Sequence, residues 1–514
     1  MRVTSFLIGT VLSMGVLAAN AQHSQLPYNW YKTVGNQMQG VNTEAALQFL
    51  KEHHKKPKKT IIVGIIDSGV DTTSVDLRPA FWRNRKEKLN GRDDDRNGYI
   101  DDLIGWNFLG TKDGKFNMET AGTEEFRQFK RLYPKYKDVD SSQVADKKEF
   151  AYYKLMRRKA KIDNYIKFTQ YSEAKYDACL YMDSLMASQH QFNKDTLTMG
   201  SLAKLPMEGD KWQKSCQMLM ADLWNTDAST RWTDFLKSHK ENLDLMKKRL
   251  EGIEKEPDKR LLMGDDQTNA ADRFYGNPTV QAGVYSHGTF VAGVVAGQGV
   301  KNPQIKGVYP QARLMIVRAV PDGDEYDKDI ASAIRYAVDN GAKVINMSFG
   351  KTTSPQAEMV NQAIAYAAAK DVLLVQAAGN SSLNVDSVAV YPTGTDASGH
   401  RFANYIRVGA SDPSGARCHF SNYGAKNVDV FAPGEQITSV APRNDHMESQ
   451  GTSIASPVVT GVAALIRAYF PKLKAATVKR ILMQSVRPMQ EKGLSASNGM
   501  VDALAAVKLA MKYK

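Results

Sequence analysis

Gly451–Pro457 reads G-T-S-I-A-S-P and runs directly into Val458, Val459, Gly461, Val462, Ala463, Ala464, Leu465 and Ile466. That run is apolar and built from small residues, so it predicts a buried helix with Ser453 at its amino-terminal end. Unpaired N–H groups and the positive end of the helix dipole lie there, which favours a group that must carry developing negative charge. Gly451 lets another backbone approach closely, and Pro457 is tolerated in a first turn whose N–H groups have no partners to lose. Read alone, the segment fits a tightly packed structural helix better than a reactive site. The rest of the chain decides between the two.

Upstream of that helix the pattern alternates. Thr60–Ile66 (TIIVGII) is apolar on both faces, as a strand buried in a parallel sheet requires, and it ends in Asp67-Ser68-Gly69-Val70-Asp71. Arg313–Val320, Lys343–Ser348, Asp371–Gln376, Tyr405–Val408 and Val428–Ala432 read as further strands, with helices over Asp327–Asp339 and Pro355–Lys370 between them. Strands alternating with helices predict an α/β fold with a doubly wound, mostly parallel sheet. In such a sheet, chemistry gathers at the carboxyl ends of the strands. Asp67 stands at one such end, where it is either a reactive carboxylate or a turn-capping one. Ser286-His287-Gly288-Thr289 opens another small-residue helix, and a histidine beside glycine at a helix start is placed to move protons.

Between these two stretches the texture changes. From Lys112 to Arg260 glycine becomes scarce and Lys, Glu, Met and Tyr rise. Cys216, Leu219, Met220, Leu223 and Trp224 recur at helical spacing, as do Trp232, Phe235, Leu236, Leu243, Met246, Leu250 and Ile253. The segment reads as an inserted helical module, with its basic runs Lys130–Lys137 and Arg157–Lys161 as solvated faces. The expected organisation is a signal peptide over 1–21, an extension over 22–57, the sheet domain over 58–110 and 271–514, and the insertion over 111–270.

Arg2, the apolar run Phe6–Ala18 and Ala19-Asn20-Ala21 have the form of a cleaved export signal. The run is too short to span a bilayer, and no later stretch predicts an integral membrane segment. The chain is therefore expected to be exported, to the periplasm or beyond the cell. A net charge of +13 is scattered among acidic residues rather than massed, which argues against nucleic-acid binding. Of three cysteines, Cys179 and Cys216 either pair or stay free, and no spacing suits a zinc site. In Gly91–Asp102 (GRDDDRNGYIDD), Asp93, Asp95, Asn97 and Gly98 follow the alternate-position spacing of a calcium loop. Ile104 occupies position twelve, so it is not an EF-hand; Asp101 and Asp102 are candidates for the missing carboxylates, and a solvated acidic turn is the competing reading.

Four ordered motifs, I-I-D-S-G-V-D (65–71), S-H-G-T-F-V-A-G (286–293), A-A-G-N-S (377–381) and G-T-S-I-A-S-P (451–457), together resemble the subtilase family of serine peptidases. The resemblance covers about Thr60–Gly110 and Tyr275–Val507. It implies Asp67 as orienting acid, His287 as general base, Ser453 as nucleophile and Asn380 as oxyanion donor. Asn346–Gly350 is similar to the family's substrate strand, so Ser348, Phe349 and Gly350 are expected to pair with the main chain of protein or peptide substrates. The chain departs from the family in its long insertion and its short lead-in. It also departs at Phe290, where many members have a second histidine, and at Ile454, where most have methionine. An inactive peptide-binding scaffold would have lost one of the four site residues, and an esterase of the α/β-hydrolase kind would need G-x-S-x-G.

Overall fold

The structure is a computed structural model that describes residues 26–35, 38–188, 196–202, 204–205 and 209–513. The expected signal peptide lies outside the described residues. Nine strands make one sheet: β1 (Ile62–Asp67), β2 (Gly105–Asn107), β3 (Arg313–Arg318), β4 (Val344–Met347), β5 (Leu373–Ala377), β6 (Tyr405–Ser411), β7 (Val430–Pro433), β8 (Arg487–Pro488) and β9 (Gly499–Met500). Their order is β8-β9-β7-β6-β5-β4-β1-β3-β2, parallel throughout except for β8 against β9.

The apolar runs are apolar on both faces because each face has its own core. Val63 and Ile65 of β1, with Leu314 and Ile316 of β3, enter one core. Ile66, Met315 and Val317 enter the other. Successive side chains point to opposite sides of a strand, so a strand covered twice has no polar face to show. Helices α8 (Ser286–Ala296) and α11 (Thr452–Tyr469) fill the first core, while α9 (Asp327–Asp339) and α10 (Ala357–Ala369) fill the second. Helix α11 is long and apolar enough to cross a membrane, yet 94% of it is buried inside the protein. Its small residues are a packing requirement, since a Cβ on Gly461 would lie 2.5 Å from Cβ of Val308. Each Val, Leu or Ile it buries contributes about 1.5–3 kcal/mol.

The lead-in is more than a polar leader. It carries helix α1 (Thr43–Glu52), preceded by Asn42 in the left-handed conformation. Trp30 and Tyr31 are buried in the first core, and Trp30 Nε1 donates to the Gln436 carbonyl at 2.8 Å. Lys32 Nζ donates to the Lys306 carbonyl at 2.9 Å. Strands β2, β8 and β9 escape sequence reading because two or three residues carry no period.

The segment between β2 and α8 carries α2 (Glu124–Tyr136), α3 (Lys147–Lys159), α4 (Ile162–Ser188), α5 (Met199–Leu202), α6 (Asp210–Asn225) and α7 (Trp232–Lys255). They pack around two small cores of their own, one including Cys179, Met182, Leu219 and Trp232, the other Phe129, Tyr153, Met156 and Ile253. The stripe on α6 is narrower than expected. Leu219 is fully buried, but Met220 and Trp224 are 60% and 87% exposed, because each stands one residue, about 100°, off the packed face. All three cysteines are free thiols. The segment leaves and rejoins the sheet at one place: Asn107 and Asn277 exchange backbone hydrogen bonds of 2.9 and 3.1 Å.

Candidate active site

Asp67, the last residue of β1, is buried, with its side chain 3% exposed. Its Oδ1 accepts from the backbone N–H of Ser68 at 2.8 Å and lies 2.7 Å from Nδ1 of His287. The carboxylate therefore fixes the tautomer that leaves Nε2 free to accept a proton. Asp67 Oδ2 is buried without a hydrogen-bond partner among the described residues. His287 stands in the first turn of α8, with 43% of its side chain exposed to the cleft. Burial opposes the charge on its ring, and the Asp67 carboxylate, through charge and hydrogen bond together, outweighs it; the imidazole titrates above its ordinary value. Helix α8 comes this close to β1 because residue 288 is glycine. A Cβ there would meet the Gly69 carbonyl at 2.1 Å and Asp67 Oδ1 at 3.2 Å.

Ser453 stands in the first turn of α11, after Gly451 at φ +147°, a conformation that glycine alone adopts readily. A Cβ on Gly451 would sit 3.0 Å from Ser453 Oγ and 3.3 Å from Asn380 Nδ2, so these two groups flank the same small space. The Asn380 amide is aimed by its other end: Oδ1 accepts from the N–H and the hydroxyl of Thr452, at 2.9 and 2.8 Å. That leaves Nδ2 as the free donor beside the serine. Among the described residues no hydrogen bond joins His287 to Ser453; such contacts commonly tighten only when substrate is bound.

Behind the serine lies a polar relay that sequence reading missed. Asn346, fully buried in β4, accepts from the hydroxyls of Ser456 and Thr460 of α11, both at 3.0 Å. Its amide donates to Ser348 Oγ at 2.9 Å, and that hydroxyl donates to the Ser453 carbonyl at 2.7 Å. The strand that holds Ser348, Phe349 and Gly350 is thereby tied to the helix that holds Ser453. An asparagine inside an otherwise apolar strand was the available signal, since a buried amide needs partners.

The acidic loop is partly rearranged relative to expectation. Carboxylate oxygens of Asp93 and Asp95 lie within 4.8 Å of each other and of Glu87, a residue absent from the expected set. Two calcium–oxygen bonds of about 2.4 Å span that distance, so these three groups fit such an ion. The others face elsewhere. Asn97 donates to Asp102 and accepts from the Tyr99 N–H. Asp101, at φ +58°, turns its carboxylate back onto the N–H groups of Asn90 and Gly91. Asp102 is fully buried and holds hydrogen bonds from Tyr336, Asn84 and Asn97; burial pushes its pKa up to about 6 against those three bonds.

A family model described as the subtilase family matches residues 58–501. Subtilisin BL of Lederbergia lenta is 35% identical over 234 residues, which are 45% of this chain and 81% of that protein. The thermophilic serine proteinase of Bacillus sp. (strain AK1) is 40% identical over 185 residues, 35% of this chain and 42% of that protein. A solved structure of the prenylagaramide maturation protease PagA is 30% identical, with a TM-score of 0.38, over 44% of this chain and 82% of that one.

Proposed function

Since the chain belongs to the subtilase family, we propose that it is an exported serine endopeptidase that cleaves peptide bonds with Asp67, His287 and Ser453 through an acyl-enzyme. The observation that carries this reading is the pairing of the Asp67–His287 contact with the Ser453–Asn380 pair around Gly451. In the proposed sequence Nε2 of His287 takes the Ser453 hydroxyl proton as Oγ attacks the scissile carbonyl. Asp67 holds the ring and stabilises the imidazolium. The Asn380 amide and the Ser453 N–H receive the oxyanion at the start of α11, where the helix dipole also favours negative charge. His287 then protonates the leaving amine, and water repeats the cycle on the acyl-enzyme.

Ser348–Gly350 is proposed to hold the substrate by its main chain, which suits peptides of varied sequence. Glu87, Asp93 and Asp95 are proposed to hold a calcium ion, which when bound supplies a charge that cross-links their loop. Export follows from the reading of Met1–Ala21, and residues 111–270 are assigned to one inserted module.

A fluorophosphonate probe tests the chemistry. The wild-type protein should be labelled and Ser453→Ala should not, with peptide hydrolysis lower by about 10⁶-fold, the loss expected when a serine or histidine leaves such a triad. Equal labelling of both proteins would sink the assignment. Peptide binding without labelling would favour the inactive scaffold.

A further inference from the structure

Backbone groups that an extended peptide could pair with are distributed unequally along the cleft. Beyond the end of β4, no main-chain group among the described residues hydrogen-bonds to the N–H or C=O of Ser348 or Gly350. Ser348 is buried and Gly350 exposed, and their unpaired backbone groups are available to a substrate strand. On the opposite bank, Asp322–Glu325, several of these groups are already taken. Asp322 N–H donates to the Glu119 carbonyl at 2.7 Å and Asp324 N–H to the Gly122 carbonyl at 2.9 Å. The Asp324 and Glu325 carbonyls accept from the Arg127 guanidinium at 2.8 and 3.1 Å. Glu119, Gly122 and Arg127, which take these groups, come from the inserted segment.

The same segment closes the far end of the free strand. Lys351 directly follows Gly350, and its side chain is 1% exposed. Its ammonium bonds to Glu124 at 2.8 Å, to Asp327 at 2.9 Å and to the Glu325 carbonyl at 2.8 Å, bridging the two banks. Glu124 also pairs with Arg127. The hydroxyls of Thr352 and Thr353 both donate to the Glu125 carboxylate, at 2.8 and 2.5 Å. A buried, mutually paired ionic cluster of this kind is costly to open, because each charge would be left unpartnered.

We propose that Glu124–Arg127, locked onto Lys351, is the end wall of the substrate cleft. A peptide lying along Ser348–Gly350 advances about 3.3 Å per residue, so it has room for roughly three residues before it meets the wall. The substrate class is then short peptides and unfolded chain ends that terminate at the wall, rather than internal segments of folded protein. This inference rests on the peptidase reading above and adds a limit of length to it.

The test is a set of synthetic peptides with one fixed scissile sequence, lengthened one residue at a time on either side, given to the full chain. The specificity constant should rise through roughly three residues on one side and drop at least tenfold on further extension there. Extension on the other side should bring no drop. Arg127→Ala frees the Asp324 carbonyl, while the Glu325 carbonyl keeps its bond from Lys351, and should restore cleavage of the longer peptides relative to the three-residue one. A steady rise or plateau through six residues on both sides overturns the wall and leaves the peptidase reading intact. An equal loss at every length in Arg127→Ala overturns Arg127 as part of the wall. No cleavage at any length, with no fluorophosphonate labelling, overturns the peptidase reading and this inference together. The wild-type series decides the length limit by itself where the variant does not fold.

Discussion

Helix α11 of the sheet domain spans 18 residues and buries all but Ser453; helix α4 of the inserted segment spans 27 and buries only Ile162, Thr169, Cys179, Met182 and Met186. The two helices stand for two ways of holding a chain. Helix α11 is covered on all sides by sheet and neighbouring helices, so transfer of apolar surface stabilises it nearly everywhere. The inserted helices have small satellite cores and mostly wet surfaces, and the segment is fixed to its host by a few buried charges and a small apolar cluster of Met118 and Met263 with Leu109 and Tyr326. Salt bridges on its exposed faces, such as Lys240–Asp244, contribute little. What matters for the insertion is therefore its joint. The joint lies beside the cleft.

The widest gap should open at that joint. Lys351→Ala leaves Glu124 and Asp327 buried beside an empty position, and stability measured by urea unfolding should fall by about 3–5 kcal/mol. Lys240→Ala, in an exposed pair within one helix turn, should leave the unfolding midpoint unchanged within error. If the two variants unfold alike, the contrast between buried joint and wet face is wrong.

Asn380→Ala crosses the comparison from the other side. If its amide receives the oxyanion as proposed, turnover should drop about 10²–10³-fold with little change in KM. Stability should fall much less than in Lys351→Ala. A variant that loses stability but keeps turnover would place Asn380 with the structural joints.

Calcium extends the question to the acidic loop, which belongs to the sheet domain yet is held by charges. If Glu87, Asp93 and Asp95 bind the ion, it stabilises the native state by about 2.7 kcal/mol at a hundredfold excess over its Kd. Chelation should lower Tm in wild type, and Asp95→Ala should remove that sensitivity. Asp101→Ala should retain it, because that carboxylate faces Gly91 instead. A Tm indifferent to chelator returns the loop to a solvated turn.

The smallest expected effect is on oxidation. Met220 of the insertion is 60% exposed, whereas Ile454, next to the serine, is 1% exposed and has no sulfur, and Met347 in β4 is fully buried. Brief peroxide treatment should place sulfoxide on Met220 by peptide mapping while most activity survives. Ile454→Met should become sensitive. Equal loss in both proteins would mean that oxidation elsewhere controls activity.

The sequence by itself determined the sheet, its principal strands and the places where Asp67, His287, Asn380 and Ser453 would stand. Those features are local. A strand apolar on both faces has few alternatives to a doubly covered sheet, and small residues around a serine or histidine declare a crowded helix start. The tertiary structure alone decided matters that depend on partners distant in the chain. Asn346 became a relay because Ser456 and Thr460 come to it from α11. Glu87 joined Asp93 and Asp95, and Asp101 and Asp102 turned away, because the loop's backbone sets where each carboxylate points. Trp30 and Tyr31 proved to be core residues because Gln436 and Lys306 receive them. Lys351 and Glu124, far apart in sequence and each ordinary among many surface charges, became a joint only through burial. Periodicity reports which face of an element is dry; it carries no record of which distant charge will be buried against it.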